Sequence, residues 1–186
     1  NFQLFDNKLR IGMNTQFITS DETLASTDVG SAPTPSLGIT LAPTLPVRDI
    51  NGEFAGPLGA GYSDRNNPVL MQYINRWDNT NRTTFFGNVY AELDIINNLT
   101  FRTSLGIDYN GINRRDIEPR VNNGFISRNN NRLIQGRNDF TSLVFTNTLN
   151  YQLELNEKHK LGVLLGVESI KDDTKRTLAQ ADEFAV

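Results

Sequence analysis

Apolar and polar residues alternate along five stretches of the chain. In residues 84–95, for example, Phe85, Val89 and Leu93 hold odd positions while Asn88 and Glu92 hold even positions. Alternation with a period of two places the apolar side chains on one face of a β-strand. The pattern predicts strands at about residues 8–18, 84–95, 99–109, 141–155 and 161–169.

The predicted strands are long, and their connections alternate between short and long. A membrane-spanning strand needs about 9–11 residues, whereas a strand of a soluble protein usually has about 5–6. Tight turns are predicted at 96–98 and 156–160, and long loops at 20–82 and 111–140. Outer-membrane barrels combine short periplasmic turns with long extracellular loops. We therefore predict an all-β fold whose antiparallel up-and-down strands form part of a large transmembrane β-barrel.

The two tight turns predict strand registers, because opposed residues of a hairpin point to the same face. A three-residue turn at 96–98 places Glu92 opposite Arg102, and we expect Asn98 to take a left-handed conformation there. A five-residue turn at 156–160 places Leu155 opposite Leu161. Both registers keep the apolar residues together on one face.

Composition removes several classes of protein. The chain has no cysteine, which excludes disulfides and thiolate metal sites, and its net charge of −3 does not indicate nucleic-acid binding. The longest apolar stretch, Leu161 to Val167, is far shorter than the roughly 18 residues of a membrane helix. A soluble β-sandwich or lipocalin-like barrel, with its apolar faces turned inward, remains an alternative.

Several segments, in order and at similar spacing, resemble the SusC/RagA-type TonB-dependent outer-membrane transporters. Ala42 to Phe54 is similar to a family segment in which a proline is followed, after a short gap, by Pro-Val, Asp and Gly-aromatic. Asn67-Pro68 is similar to the Asn-Pro pair that follows that segment. Phe86 to Glu92 is similar to the family's Gly-Asn-x-Tyr strand. The later similar segments are 99–109, 147–151 and 159–168, whereas 111–140 and 171–186 carry little of the resemblance.

The resemblance implies a multi-pass β-barrel in the outer membrane of a Gram-negative bacterium. In this family the barrel closes with about 22 strands around a plug. We expect the chain to be a fragment of such a barrel that lacks the plug domain and transports nothing alone. The implied partners are outer-membrane lipid, a SusD-like surface lipoprotein and TonB for the whole protein, and an oligosaccharide or peptide ligand.

The first long loop contains the candidate substrate-binding residues. Aromatic faces can stack on sugars or peptides, while amides and arginine supply directional hydrogen bonds. The alternative is that these side chains pack within the loop or contact the partner lipoprotein. The candidates are Tyr62, Asn66, Asn67, Tyr73, Arg76 and Trp77.

Three other features allow simpler interpretations. Asp49 to Glu53 has part of the pattern of a calcium loop, but Asn51-Gly52 is more simply a tight turn. The second long loop holds six arginines that could meet an acidic ligand or lipopolysaccharide, or could simply be solvated. His159 is the only histidine and lies in a predicted turn, so it supports neither a catalytic triad nor a metal cluster.

The sequence thus predicts a fragment of a TonB-dependent importer of oligosaccharides or peptides. We expect no enzymatic activity, no cofactor, no metal and no nucleic-acid partner. The alternatives are an outer-membrane barrel enzyme, which would need a nucleophile beside a base, and a soluble β-domain that binds a ligand.

Overall fold

The computed structural model describes residues 2–23, 34–56, 65–123, 126–156 and 159–183. Its fold is all-β with two short helices, which confirms the predicted fold class. Six strands form one sheet in the order β1-β2-β3-β4-β7-β8, and β5 pairs with β6 in a separate hairpin. The elements are β1 (Phe2–Leu4), β2 (Leu9–Glu22), α1 (Thr34–Thr40), α2 (Pro68–Ile74), β3 (Asn79–Ile96), β4 (Leu99–Glu118), β5 (Val121–Asn123), β6 (Ile126–Arg128), β7 (Arg132–Asn156) and β8 (His159–Asp182).

The strands are longer than the alternation predicted, and the predicted loop bounds of 20–82 and 111–140 are wrong. β4 continues to Glu118 and β7 begins at Arg132, so the second loop is much shorter and itself contains the β5–β6 hairpin. The added strand ends are polar: Arg132 pairs with Glu118 at 3.8 Å and with Asp182 at 3.1 Å. Alternation predicts a strand only as far as its apolar face extends, whereas the hydrogen bonding between strands continues beyond that point.

The register predicted for the β3–β4 hairpin is confirmed. Arg102 donates to Glu92 Oε1 at 2.8 Å, and Thr100 donates to Asp94 Oδ1 at 2.8 Å. Both contacts join residues that lie opposite one another in the predicted register. β3 runs through Ile96, so the connection is two residues rather than three. Asn98 is not among the described residues with positive φ, and its predicted left-handed conformation is wrong.

The side chains that meet across the β7–β8 hairpin are displaced by two residues from the predicted register. Lys160 Nζ lies 2.6 Å from Glu154 Oε1, and Thr146 donates to Glu168 at 3.0 Å. A shift of two residues leaves every side chain on its predicted face.

The chain divides into two compact units, which we call the sheet unit and the loop unit. The sheet unit comprises Asn1–Ser20, Arg82–Ile112 and Asn138–Arg176, and the loop unit comprises Asp21–Asn81, Asn113–Arg137 and Thr177–Val186. Among the described helices, none is long and apolar enough to cross a membrane.

The two faces of the sheet unit differ in chemistry. On the odd-numbered face apolar side chains are exposed, with Leu93 at 41%, Leu105 at 52% and Phe145 at 47%. On the even-numbered face the charges pair with one another: Arg10 donates to Glu92 at 3.1 Å and to Asp94 at 2.9 Å, and Arg102 completes the network through Glu92.

The loop unit has a hydrophobic core of its own. Leu70, Met71 and Ile74 of α2 pack with Ile126 of β6, and Phe54 and Val121 pack against this cluster. Met71 is only 1% exposed. The apolar residues of α2 therefore bury one face of a short helix, which lies within the predicted loop 20–82.

Candidate functional site

Asn67 organises the segment that carries most of the predicted site residues. It caps the N-terminus of α2, where Pro68 occupies a position whose N–H has no helical partner, and its Oδ1 accepts from the backbone N–H of Val69 at 3.0 Å. Its Nδ2 donates to the carbonyls of Val47 at 2.8 Å and Ala55 at 3.1 Å. One amide thus joins α2 to the chain around residues 47–55.

Asn67 thus has a structural role in this segment, and its predicted contact with substrate stays a prediction. Its side chain is 1% exposed and its donors and acceptor are used within the loop unit. Asn66, beside it, is 8% exposed and buried as well. Asn67 holds the backbone of this segment in place through these hydrogen bonds.

Tyr73, Arg76 and Trp77 form an exposed cluster at the end of α2. The guanidinium of Arg76 lies 3.8 Å from the ring centre of Tyr73 and 4.9 Å from that of Trp77. Arg76 Nη1 also donates to the carbonyl of Tyr73. Tyr73 is 50% and Trp77 46% exposed. The structure thus brings together three of the predicted residues, while Tyr62 lies outside the described residues.

Arg48 and Phe54 extend this cluster, and the sequence analysis missed both. The Phe54 ring lies 5.2 Å from the Tyr73 ring, and the guanidinium of Arg48 lies 4.4 Å from the centre of Phe54. Arg48 and Phe54 are bridge partners across the Asp49–Glu53 turn. The turn itself had been predicted, so pairing its flanks would have found them. We call Arg48, Phe54, Tyr73, Arg76 and Trp77 the arginine–aromatic cluster.

The turn at Asn51-Gly52 is confirmed. Gly52 donates to the carbonyl of Asp49 at 3.1 Å with φ of +85°, a conformation that favours glycine. Asp49 Oδ1 accepts from the backbone N–H groups of Asn51 at 2.8 Å and Glu53 at 3.0 Å. The carboxylate that a calcium loop would use therefore closes the turn. A cleft of about 490 Å³ beside it is lined by Arg48, Asp49 and Phe54 among others.

The segment after the cluster is anchored to β4. Asp78 Oδ1 accepts from the backbone N–H of Ile117 at 2.7 Å, and Arg115 donates to the carbonyl of Trp77 at 3.3 Å. Burial raises the pKa of Asp78, and the hydrogen bond from Ile117 opposes that rise. The two contacts tie the segment at Trp77 and Asp78 to β4.

The six arginines of the second predicted loop do not form one basic patch. Arg114 pairs with Asp116 at 2.8 Å, and Arg132 pairs with Glu118 and Asp182. Arg128 and Arg132 line a polar cleft of about 530 Å³ together with acidic and amide side chains. Among the described residues, no group of three or more His, Cys, Asp or Glu side chains could hold a metal ion.

Comparison with known proteins finds structural relatives only. No protein-family model matches the chain, and no curated protein matches it. Solved structures that match include the RagAB peptide transporter, with 20% identity over 97% of this chain and a TM-score of 0.73. The RagAB peptide importer in its "closed-closed" and "open-open" states matches at 21% and 20% identity over 97% and 96% of the chain, each with a TM-score of 0.70.

These similarities show the fold of the chain. This chain spans about a fifth of the length of each of those chains, since it covers 20% of them. An all-β sheet is therefore the shared architecture, and function, cargo, partners and energy source are matters for proposal.

Proposed function

We propose that the chain is a wall segment and extracellular loop of an outer-membrane importer that takes up peptides or oligosaccharides. The whole protein is of the SusC/RagA type, is driven through TonB and works with a SusD-like surface lipoprotein. Peptides stand first because the structural relatives are described as peptide transporters. The proposal gives the chain no catalytic role.

One observation carries the proposal: the odd-numbered face of the sheet unit is apolar and its side chains are exposed. Exposed apolar side chains on the odd face span four strands, and they include Phe17, Val89, Leu105 and Phe145. Charged residues instead pair with one another on the even face, as Arg10 does with Glu92 and Asp94. A surface that is apolar outside and polar inside suits lipid outside and a polar lumen within.

The apolar band also has a polar boundary. Tyr109 continues the odd face of β4, and its hydroxyl donates to Asp139 Oδ1 at 2.8 Å. From Leu99 to Tyr109 the band covers the roughly 9–11 residues that a tilted strand needs to cross a bilayer. Tyrosines with their hydroxyls turned to a polar group are typical of the edge of a membrane.

Location is tested by a matched pair of substitutions in the whole protein. Leu149→Arg places a charge on the odd face, whereas Asn150→Arg places it on the even face at nearly the same depth. Arginine on the lipid face costs about 2–4 kcal/mol near mid-bilayer. We expect Leu149→Arg to lower the amount of folded protein in outer membranes and Asn150→Arg to leave it unchanged. Equal assembly of the two variants would contradict the proposal.

Transport is tested in cells that lack the gene for the whole protein. We expect them to lose uptake of fluorescent octapeptides or of maltoheptaose, and cells without functional TonB to lose uptake of the same probe. Alanine at Tyr73 and Trp77 should weaken that uptake while the amount of protein in the membrane stays normal. Unchanged uptake of both probes in the deletion strain would refute import as the function.

A further inference from the structure

The guanidinium of Arg76 is held in a fixed orientation by its own loop. It lies 3.8 Å from the Tyr73 ring centre and 4.9 Å from the Trp77 ring centre, and one donor from Nη1 goes to the carbonyl of Tyr73. Stacking on aromatic faces restrains a planar guanidinium without using its remaining N–H donors. Arg76 is therefore restrained before any ligand arrives.

The same stacking changes what the aromatic rings can do. A tyrosine or tryptophan that binds a neutral sugar presents an open ring face. Here Arg76 covers one face of Tyr73 and one face of Trp77, and Phe54 lies 5.2 Å from the Tyr73 ring. One face of each of these two rings thus serves to position a cation.

Asp78, two residues further along the chain, and Asp116, whose charge acts on Asp78, are both bound to other groups. Asp78 accepts from the backbone of Ile117, and Asp116 pairs with Arg114 at 2.8 Å. Within the part of the chain that the structure describes, Arg76 forms no ion pair. Its Nε and Nη2 donors lie on an exposed side chain with the fork geometry that matches a carboxylate.

We infer that Arg76 is an anion-recognition residue that binds a carboxylate of the cargo through Nε and Nη2. This inference rests on the proposed function and narrows it to an acidic class of cargo. The carboxylate can come from the C-terminus or an acidic side chain of a peptide, or from a uronic acid of an oligosaccharide. Arg48, stacked 4.4 Å from the Phe54 ring centre, adds a second cation to the same surface.

The test compares acidic probes with their neutral forms. The whole protein, purified from outer membranes, is incubated with randomised N-acetyl octapeptides built from uncharged residues, either as free acids or as C-terminal amides. A parallel arm uses trigalacturonic acid and its methyl ester. We expect at least one acid to be retained about tenfold better than its neutral form, which corresponds to about 1.4 kcal/mol. The arm that shows the preference identifies the source of the carboxylate.

Variants assign the preference to Arg76. Arg76→Gln should bring the ratio of acid to neutral probe close to one, and Arg76→Lys should retain part of it because charge remains while the fork is lost. Arg114→Gln is the matched control, since it removes an arginine of the same unit whose partner is Asp116. We expect Arg114→Gln to keep the wild-type ratio.

Two results would overturn the inference. The first is retention that does not distinguish acid from neutral probe in either arm, including no retention at all. The second is a preference that survives in Arg76→Gln. If uptake by cells still depends on the whole protein in either case, the importer stands and only the role of Arg76 fails. If the deletion strain keeps full uptake, the proposed function itself fails.

Discussion

The sheet unit and the loop unit differ in where their apolar side chains lie. Among the described residues, the buried apolar side chains all belong to the loop unit: Leu45, Ala55, Leu70, Met71, Ile74 and Ile126. In the sheet unit many apolar side chains are exposed and charged ones pair on the other face. A hydrophobic core and an exposed apolar face thus occur in one chain of 186 residues, and the proposed membrane location explains the difference.

The largest effect that separates the two units should come from the two methionines. Met71 is 1% exposed in the loop-unit core, whereas Met13 is 62% exposed in the sheet unit. Replacing a buried methionine with alanine costs about 2–5 kcal/mol. We expect Met71→Ala to speed hydrogen exchange across α2 and β6 in the whole protein, and Met13→Ala to leave exchange there unchanged. Equal protection of α2 in both variants would mean that the cluster is not a core.

A smaller effect should come from two glycines of the loop unit. A Cβ on Gly56 would lie 2.7 Å from Asn123 Oδ1, whereas a Cβ on Gly38 would meet nothing within 4 Å. Asn123 also donates to the carbonyl of Phe54 at 2.7 Å, so it fixes β5 against that segment. Forced overlap typically costs about 1–3 kcal/mol. We expect Gly56→Ala to raise protease cleavage within 119–131 and Gly38→Ala to leave it unchanged. Equal resistance of the two variants would show that the contact between Gly56 and Asn123 does not stabilise this segment.

An effect of similar size concerns Asp78 and its bond to the backbone of Ile117. Asp78→Ala leaves the N–H of Ile117 without its acceptor, and a buried N–H without a partner costs about 1–3 kcal/mol. Asp78→Asn keeps an acceptor for that N–H. The raised pKa of Asp78 means that this residue binds a proton more readily when its segment is held on β4 than when the segment is free. Docking is therefore stabilised at low pH, and this contribution is lost as pH rises through the raised pKa.

Hydrogen exchange at the Ile117 amide measures that difference. We expect protection to fall in the order wild type at low pH, wild type at neutral pH, Asp78→Ala, after correction for intrinsic exchange. Asp78→Asn should be protected and should lack the pH dependence. A pH dependence that persists in Asp78→Asn would assign it to another group.

The sheet unit could be predicted in most respects from residue alternation. The faces of Leu93, Leu105 and Phe145 follow from a period of two, and the pairing of Glu92 with Arg102 follows from one short turn. The side-chain contacts across β7 and β8 were predicted two residues away, because the polar run from Asn156 to Lys160 contains nothing that marks where a strand ends. Periodicity fixes faces more firmly than it fixes turn lengths.

The loop unit could not be predicted in the same way, because single contacts order it. Asn67 joins α2 to residues 47 and 55 through one amide, and Gly56 admits Asn123 by lacking a side chain. Such contacts link residues distant in sequence and leave no periodic trace. The proximity of Tyr73, Arg76 and Trp77 could be predicted because these residues are close in sequence, whereas nothing in the sequence indicates that Asn67 is buried.

The most direct test of the central claim is a spin-label scan along β7. A nitroxide is attached through cysteine at each position from 143 to 152 of the whole protein, in a background without other cysteines, and the protein is reconstituted in lipid. Collision rates with oxygen, which partitions into lipid, and with a water-soluble nickel complex are then measured. We predict that oxygen collisions peak at Leu143, Phe145 and Leu149 and that nickel collisions peak at the even positions between them. Nickel collisions that peak at those odd positions would show that the apolar face meets water or protein, and would contradict the account.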